Sequence, residues 1–314
     1  MLLIDLHTHL NLLPTPLPFL IEKLFKQNIT LNQHVALAKK YKKKIILSPV
    51  IYNVPGIHYG ISGVKHQLAK LTNEIKKSNG LIKIIKSKSD LESEFDVGLV
   101  LQLESCRWIK KDKTLHTLEQ LYDFGIRGVI PIHFIDNWLG NSCNYPYVPT
   151  NSSNDDGLKE QLAKDFFKAC KDLKLWIDLS HMSNNAIETT LKFSHHAICM
   201  THTSIKDIQD TKRAISKEHI KKIASLNGFV GLCLADRFVS TTPKFVEMIN
   251  YFNNLGIALN YGIGSDFGAP IKTDLGLENY QTLIKTITGS NLIQSQRDEF
   301  FHKGALNFLN STLV

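Results

Sequence analysis

Eight short segments of almost continuous apolar sequence recur along this 314-residue chain, separated by longer helical or polar stretches. Such segments are typical of strands buried on both faces, as the strands of a parallel sheet are. Their alternation with helical stretches indicates repeated βα units. Eight units favour a closed (β/α)8 TIM barrel over an open sheet. The segments are 2–5, 45–50, 97–103, 128–132, 175–179, 197–201, 229–234 and 261–265.

The intervening stretches carry helical signals. Apolar residues recur at helical spacing within 159–173, and Ser216 stands where it can cap a helix over 216–226, with Glu218 in the first turn. No Pro/Gly/Ser-rich linker separates regions of different composition. We therefore predict one barrel domain over residues 1–314.

Two long loops are expected, over 52–63 and 137–157. The second is rich in Asn, Ser, Pro and Asp, the residues that favour turns. Each loop follows a strand, so in a barrel both lie at the end where the active site forms and can line a pocket.

Charge and cysteine content exclude several classes of protein. The net charge of +8 includes a lysine-rich run over 39–44 whose single aromatic residue, Tyr41, falls short of the repeated aromatic interleaving of a stacking surface, so the run indicates a solvated helix end and no nucleic-acid partner. No apolar run reaches the roughly 18 residues of a membrane span, and no signal peptide precedes the first strand, which predicts a cytoplasmic protein without membrane association. The five cysteines lack CxxC spacing, so no disulfide framework is expected.

Side chains that can bind metals stand at or just beyond six of the predicted strands. A single histidine there is more often structural, but in a parallel barrel all these positions meet at one mouth. Their coincidence therefore favours one shared site. The residues are His7, His9, Glu104, His133, His181, His202 and Asp266.

Imidazole and carboxylate groups in this arrangement predict a divalent metal centre. His7 and His9 lie two apart on a strand, so both can bind one ion, and Asp5 could orient a ligand imidazole from behind. Glu104 can bridge to a second ion that His181 and His202 complete. Zinc is favoured, although manganese, iron and cobalt accept the same ligands. Such a metal converts bound water into a nucleophilic hydroxide.

Seven segments carry a resemblance to a known family. The chain resembles the membrane (renal) dipeptidases, peptidase family M19 of the amidohydrolase superfamily. The resemblance implies a metal-dependent barrel enzyme that hydrolyses dipeptides or related small amides, and it suggests a homodimer. The segments are DLHTHL (5–10), LQLESCRW (101–108), GIRGVIPIHFIDNW (125–138), IDLSHMS (177–183), THTSIKDIQDTKRAIS (201–216), HIKKIASLNGFVGL (219–232) and GIGSDFG (262–268).

The same resemblance implies roles for individual residues. The metal ligands would be His7 and the residue at position 9 for the first ion, Glu104 as the bridge, and His181 with His202 for the second ion. Asp266 matches the family's catalytic acid/base, and His133 matches the histidine that contacts the scissile carbonyl. Arg213 matches the arginine that holds the substrate carboxylate, for which a planar guanidinium is well suited.

Three departures from the family pattern bear on the site. His9 stands where an aspartate is usual, which removes a negative charge and raises the question of whether one or two ions bind. Ser105, Cys106 and Arg107 replace a glycine-rich surrounding of the bridging glutamate, and Gly268 replaces a second aspartate. These changes would alter the pocket lining and therefore substrate preference.

Two alternatives stay open at this point. A TatD-like metal-dependent nuclease also combines an N-terminal HxH with a glutamate, two later histidines and an aspartate, but Arg213 and the IDLSHMS context argue against it. A catalytically inactive barrel with a binding role is the other alternative, because of the histidine at position 9.

Overall fold

The computed structural model describes residues 2–10, 30–42, 44–52, 60–143, 155–194, 196–235, 238–269 and 280–314. Within them, the strands are β1 (Leu3–Thr8), β2 (Ile45–Tyr52), β3 (Ile82–Ile84), β4 (Val97–Leu99), β5 (Leu101–Glu104), β6 (Ile126–Ile130), β7 (Trp176–Asp178), β8 (Ile198–Thr203), β9 (Phe229–Leu232) and β10 (Asn260–Ile263). Eight of them follow the order β1-β10-β9-β8-β7-β6-β5-β2 in one parallel sheet, and β1 also pairs with β2, which closes these eight into a barrel. The predicted (β/α)8 fold is confirmed.

One predicted strand differs in detail from the structure. The segment 97–103 is divided at Val100 into β4 and β5. β4 pairs with β2 and with the short β3, whereas β5 continues the barrel between β2 and β6. The apolar pattern does not reveal the division, because residues 97–101 and Leu103 are all fully buried on either side of it.

Helices connect the strands and cover the outside of the barrel. A 3-10 turn spans Lys111–Lys113 and a π-helical turn spans Glu299–Lys303. The α-helices are α1 (Leu31–Tyr41), α2 (Gly60–Lys77), α3 (Lys88–Glu92), α4 (Thr114–Asp123), α5 (Glu160–Asp172), α6 (Asn184–Phe193), α7 (Lys217–Ser225), α8 (Thr242–Asn254), α9 (Tyr280–Thr288), α10 (Gln294–Asp298) and α11 (Gly304–Thr312).

The predicted helices over 159–173 and 216–226 match α5 and α7. Ser216 caps α7, since its hydroxyl accepts a hydrogen bond from the His219 amide at 3.2 Å. The first expected loop is shorter than predicted because α2 already begins at Gly60. The remainder of that loop, 53–59, and residues 144–154 of the second lie outside the described residues.

A buried aromatic cluster seals the barrel at the end where the strands begin. Trp176 and Phe229 are the first residues of β7 and β9, and Phe308 of α11 packs against both, with ring centroids 5.8 and 5.9 Å away. All three rings are almost fully buried. The polar side chains described below lie at the opposite ends of the strands. Among the described helices, none is both long and apolar enough to cross a membrane.

Candidate metal centre

The end of β1 and the turn after β10 bring three candidate ligands together. His9 Nε2 lies 3.0 Å from Asp266 Oδ1, and His7 Nε2 lies 3.6 Å from the same oxygen. The backbone fixes this arrangement, because the Asp266 amide donates to His7 O at 2.9 Å and the His9 amide donates to Phe267 O at 2.7 Å. His7, His9 and Asp266 form one group whose ligand atoms lie within 4.8 Å of one another.

A second group forms around the carboxylate at the end of β5. Glu104 Oε1 lies 3.2 Å from His133 Nε2 and 3.9 Å from His7 Nε2. His181, just beyond β7, completes a group with Glu104 and His133 within the same 4.8 Å limit. The family resemblance implied that His133 contacts the substrate rather than the metal. In the structure His133 belongs to a group of potential ligand atoms with Glu104 and His181.

His202, on β8, joins the two groups. Its ring stacks on His7 with centroids 3.6 Å apart, and its Nε2 lies 3.1 Å from His181 Nε2. His7, Glu104 and His202 form a third group of ligand atoms within 4.8 Å. All seven side chains predicted from the strand ends therefore converge on one mouth.

Left-handed backbone turns aim several of these side chains. His181 and Asp266 adopt φ values of 69° and 61°, and Ser105 and Phe134, which directly follow Glu104 and His133, adopt 75° and 55°. A non-glycine residue in this region costs about 1–2 kcal/mol, and such conformations cluster at functional sites. Four such residues at the strand ends of one barrel indicate a strained backbone, and this strain orients the side chains of the site.

Burial keeps the central histidines neutral. It lowers the pKa of His7, His181 and His202 well below the usual histidine range. Burial, followed by the positive charge of Arg213, lowers the pKa of His133 to about 3. A neutral imidazole has a free lone pair, which is the form that binds metals.

The acidic members respond differently to burial. It raises the pKa of Glu104 to about 7. Burial acts in the same direction on Asp266, but the hydrogen bond and charge of His9, together with the charges of His7 and Arg213, outweigh it, and the pKa of Asp266 is lowered. Burial also opposes protonation of His9, yet Asp266, Glu104 and Asp5 together outweigh it and raise the pKa of His9. His9 and Asp266 thus favour each other's charged forms.

Arg213 lies in the segment after β8, which a bridge between Ile205 and Ile215 holds in place. It is 5% exposed, its Nη2 donates to His202 O at 3.3 Å, and its guanidinium lies 4.7 Å from the centroid of Phe238. Nε has no hydrogen-bond partner among the described residues. A buried guanidinium with a spare donor beside the histidines is suited to bind an anionic group.

The donor set fits a divalent cation. His7 Nε2, Glu104 Oε2 and His181 Nδ1 are buried without a hydrogen-bond partner in the described part of the chain. Buried polar atoms are normally satisfied, so unsatisfied ones in one cluster point to a missing ligand. Neutral imidazoles with carboxylates match zinc and its neighbours in the first transition series.

The structure corrects one expectation and adds residues that the strand-end pattern missed. Asp5 does not orient the imidazole of His7: its Oδ1 accepts from the backbone amides of His7 and Ser265, both at 3.0 Å. The His7 ring instead contacts Thr201 and Gln102, each 3.2 Å from Nδ1. Both are buried strand residues. A polar residue inside an otherwise apolar strand segment is the sequence signal that could have identified them.

A (β/α)8 barrel with imidazoles and carboxylates gathered at the carboxyl ends of its strands defines the class of metal-dependent hydrolases. Residues 51–298 match the family of membrane dipeptidases, Peptidase family M19. The chain belongs to this family. Neither the nuclease alternative nor the inactive barrel finds support in these relationships.

Individual relatives are distant in sequence. A protein in the pqqA 5′ region of Klebsiella pneumoniae is 26% identical over 259 residues, covering 78% of this chain and 94% of its own length. A protein in the PQQ-III 3′ region of Acinetobacter calcoaceticus is 27% identical over 53% of this chain. The match covers 50% of the length of that relative. A Rhodobacter sphaeroides metallopeptidase, solved with a phosphinate mimic of the dipeptide L-Ala-D-Ala, superposes with a TM-score of 0.80 at 17% identity over 99% of both chains. This last likeness concerns the fold.

Proposed function

We propose that this chain hydrolyses dipeptides or closely related small amides at the strand-end mouth, with a divalent metal, zinc in the first instance, as its cofactor. The observation that carries the proposal is the convergence of neutral imidazoles and carboxylates beside the buried, partly unpaired Arg213. Membership of the membrane dipeptidase family supports it. We further propose that residues 1–314 act as one domain, and the homodimer remains a prediction for sedimentation analysis.

The proposed ligands are His7 and His9 for one ion, Glu104 as a bridge, and His181 with His202 for another. Such an ion supplies Lewis acidity, which polarises a carbonyl and lowers the pKa of water. Whether one or two ions bind depends on His9, where the family usually has an aspartate. The grouping of His9 with His7 and Asp266 supports a shared ion for the two histidines.

Three further residues act on the substrate in this proposal. Arg213 binds the terminal carboxylate and so measures the distance from the cluster to the C-terminus, which selects dipeptides. Neutral His133 donates a hydrogen bond to the carbonyl oxygen as negative charge develops on it. Asp266 accepts a proton from the attacking water at Oδ1 and delivers it to the departing amine.

Metal analysis followed by a substrate panel tests the proposal. The purified protein is expected to contain stoichiometric metal and to release amino acids from unmodified dipeptides, with loss of activity on chelation and recovery with Zn²⁺ or Mn²⁺. Single-stranded DNA serves as the control substrate. Cleavage of DNA without dipeptide hydrolysis, or full activity after complete chelation, would contradict the proposal.

A further inference from the structure

Thr201, on β8, joins two candidate ligands on the side of their rings that faces away from the cluster. Its Oγ lies 3.2 Å from His7 Nδ1 and 3.0 Å from His202 Nδ1. The residue is 1% exposed, so both contacts are shielded from solvent. One hydroxyl therefore contacts the outer nitrogens of two stacked imidazoles.

Asp178, at the end of β7, determines which of these groups donates. Its Oδ2 accepts the hydroxyl proton of Thr201, and its Oδ1 accepts from the amides of Ser180 at 2.9 Å and Thr201 at 3.1 Å. A hydroxyl carries a single proton. Because that proton is directed to Asp178, the Thr201 oxygen is left to accept hydrogen bonds from the two histidines.

This direction of hydrogen bonding fixes where each imidazole carries its proton. In this arrangement His7 and His202 hold it at Nδ1, which leaves the lone pair at Nε2. His7 Nε2 is buried without a hydrogen-bond partner in the described residues, and His202 Nε2 faces His181 Nε2 at 3.1 Å. Both lone pairs thus point into the group of ligand atoms that includes Glu104.

We propose that Thr201, held by Asp178, sets the Nδ1–H tautomer of both His7 and His202 and thereby prepares the metal site before the metal arrives. The inference rests on the proposed function, in which these histidines are ligands. Thr201 and Asp178 are positioning residues, since they act through the imidazoles.

Gln102 offers a competing contact at one of the two rings. Its Nε2 lies 3.2 Å from His7 Nδ1 and also donates to Leu6 O at 3.2 Å. Donation from this amide to Nδ1 would require the opposite tautomer of His7. In the described residues, His202 Nδ1 has Thr201 as its partner. The tautomer of His7 therefore shows whether Thr201 or Gln102 determines the hydrogen bond at its Nδ1.

Zn²⁺ affinity, measured by competition with a chromophoric chelator, tests the role of the hydroxyl. Thr201→Val keeps the shape but removes the acceptor, and loss of such a partner typically weakens metal binding by about 10–100-fold. Thr201→Ser keeps the hydroxyl and is expected to restore most of the affinity. Thr190→Val is the matched control, because Thr190 is equally buried but bonds to Ala186 O within α6.

Asp178→Asn tests the direction of the hydrogen bonds. With the amide nitrogen towards Thr201, the hydroxyl would have to accept there and give its proton to an imidazole Nδ1, which would move that ring's own proton to Nε2. The expected result is a loss of Zn²⁺ affinity of about the same 10–100-fold. Circular dichroism of each variant separates this loss from unfolding.

Imidazole ¹⁵N spectra of the metal-free wild-type protein test the inference without any variant. Nδ1–H tautomers are expected for His7 and His202. Nε2–H in either ring, or a Thr201→Val protein that binds Zn²⁺ as tightly as Thr190→Val, would overturn it. A wild-type protein that takes up no Zn²⁺ would instead contradict the proposed function, while the spectra still decide the tautomers.

Discussion

At the scale of single residues, Arg213 is the buried positive charge beside the histidines of the site. Arg213 is buried and its Nε has no hydrogen-bond partner among the described residues, yet the fold accepts the cost of that burial. Its charge lowers the pKa of His133, after the larger effect of burial. A buried guanidinium whose Nε lacks a hydrogen-bond partner among the described residues, and whose charge influences a histidine of the site, supports the proposal that Arg213 binds an anionic group.

Replacing Arg213 by Ala is expected to raise KM for unmodified dipeptides roughly 10–100-fold, the equivalent of one charged hydrogen-bonding contact. C-terminally amidated dipeptides lack the negative charge that the guanidinium binds, so their KM should change little. Steady-state kinetics on both substrate series checks this. An equal rise in KM for both substrate series would show that Arg213 does not bind the substrate carboxylate.

Replacing Asp266 by Asn is expected to lower kcat by about 10²–10⁴-fold, because the amide cannot carry a proton from water to the amine. Metal content, measured on the same samples, should be retained. Asp136→Asn, in the loop after β6 where Asp136 accepts from the Ser142 amide at 2.7 Å, serves as a control. Loss of metal from the Asp266 variant would show that this side chain is a ligand rather than a proton carrier.

At the scale of elements, close packing of neighbouring strands holds the mouth in register. A Cβ built on Gly231 in β9 would lie 1.9 Å from Thr201 O, and one on Gly264, just after β10, would lie 1.6 Å from the same oxygen. Two neighbouring strand ends therefore need glycine so that the backbone of β8 at Thr201 can approach. The predicted strands included both glycines, but their common neighbour is visible only in the tertiary structure.

Gly264→Ala is expected to destabilise the protein by about 1–3 kcal/mol, since the methyl group must displace backbone. It should also weaken Zn²⁺ binding by shifting Thr201. Gly289→Ala is the control, because no atom lies within 3.0 Å of its built Cβ. Urea unfolding measures the stability and Zn²⁺ titration measures the affinity. A Gly264→Ala protein as stable as the Gly289→Ala control would contradict the expectation, because it would show that β8 can shift without loss of free energy of unfolding.

At the scale of the whole molecule, protonation couples the histidines to folding. Burial lowers the pKa of His7, His181 and His202, and lowers the pKa of His34, on the buried side of α1, to about 4. The unfolded chain takes up these protons near pH 6.5 and the folded chain does not. Their contribution to stability is therefore present above about pH 6.5 and is lost as the pH falls.

The metal-free protein is accordingly expected to lose stability between pH 6.5 and 5. Several groups oppose the trend, because the pKa is raised to about 7 for Glu104 and to about 6 for Asp5, and is also raised for Asp178 and His9. The lowered pKa values of His133 and His196 add to those of the four histidines above, so the histidines still outnumber the opposing groups. Each excluded proton contributes about 1.4 kcal/mol per pH unit. His34→Gln, away from the mouth, should reduce the slope by about that amount. Urea unfolding at several pH values in chelator gives the slope; stability independent of pH would contradict the expectation.

The sequence by itself determined the barrel and the composition of its mouth. Eight buried strands must be apolar on both faces, and this pattern is local enough to read along the chain. His7, Glu104, His181 and the other strand-end residues followed from it, because a parallel barrel gathers all its carboxyl ends at one side. Family resemblance added the proposed role of Arg213.

Only the tertiary structure decided how those residues group and what supports them. It showed the division of one strand at Val100, the grouping of His133 with Glu104 and His181, and the contact of Thr201 with two histidines. Each depends on strand register, left-handed turns or the approach of distant backbones. Such distances are set by packing between segments far apart in sequence, and no local pattern encodes them.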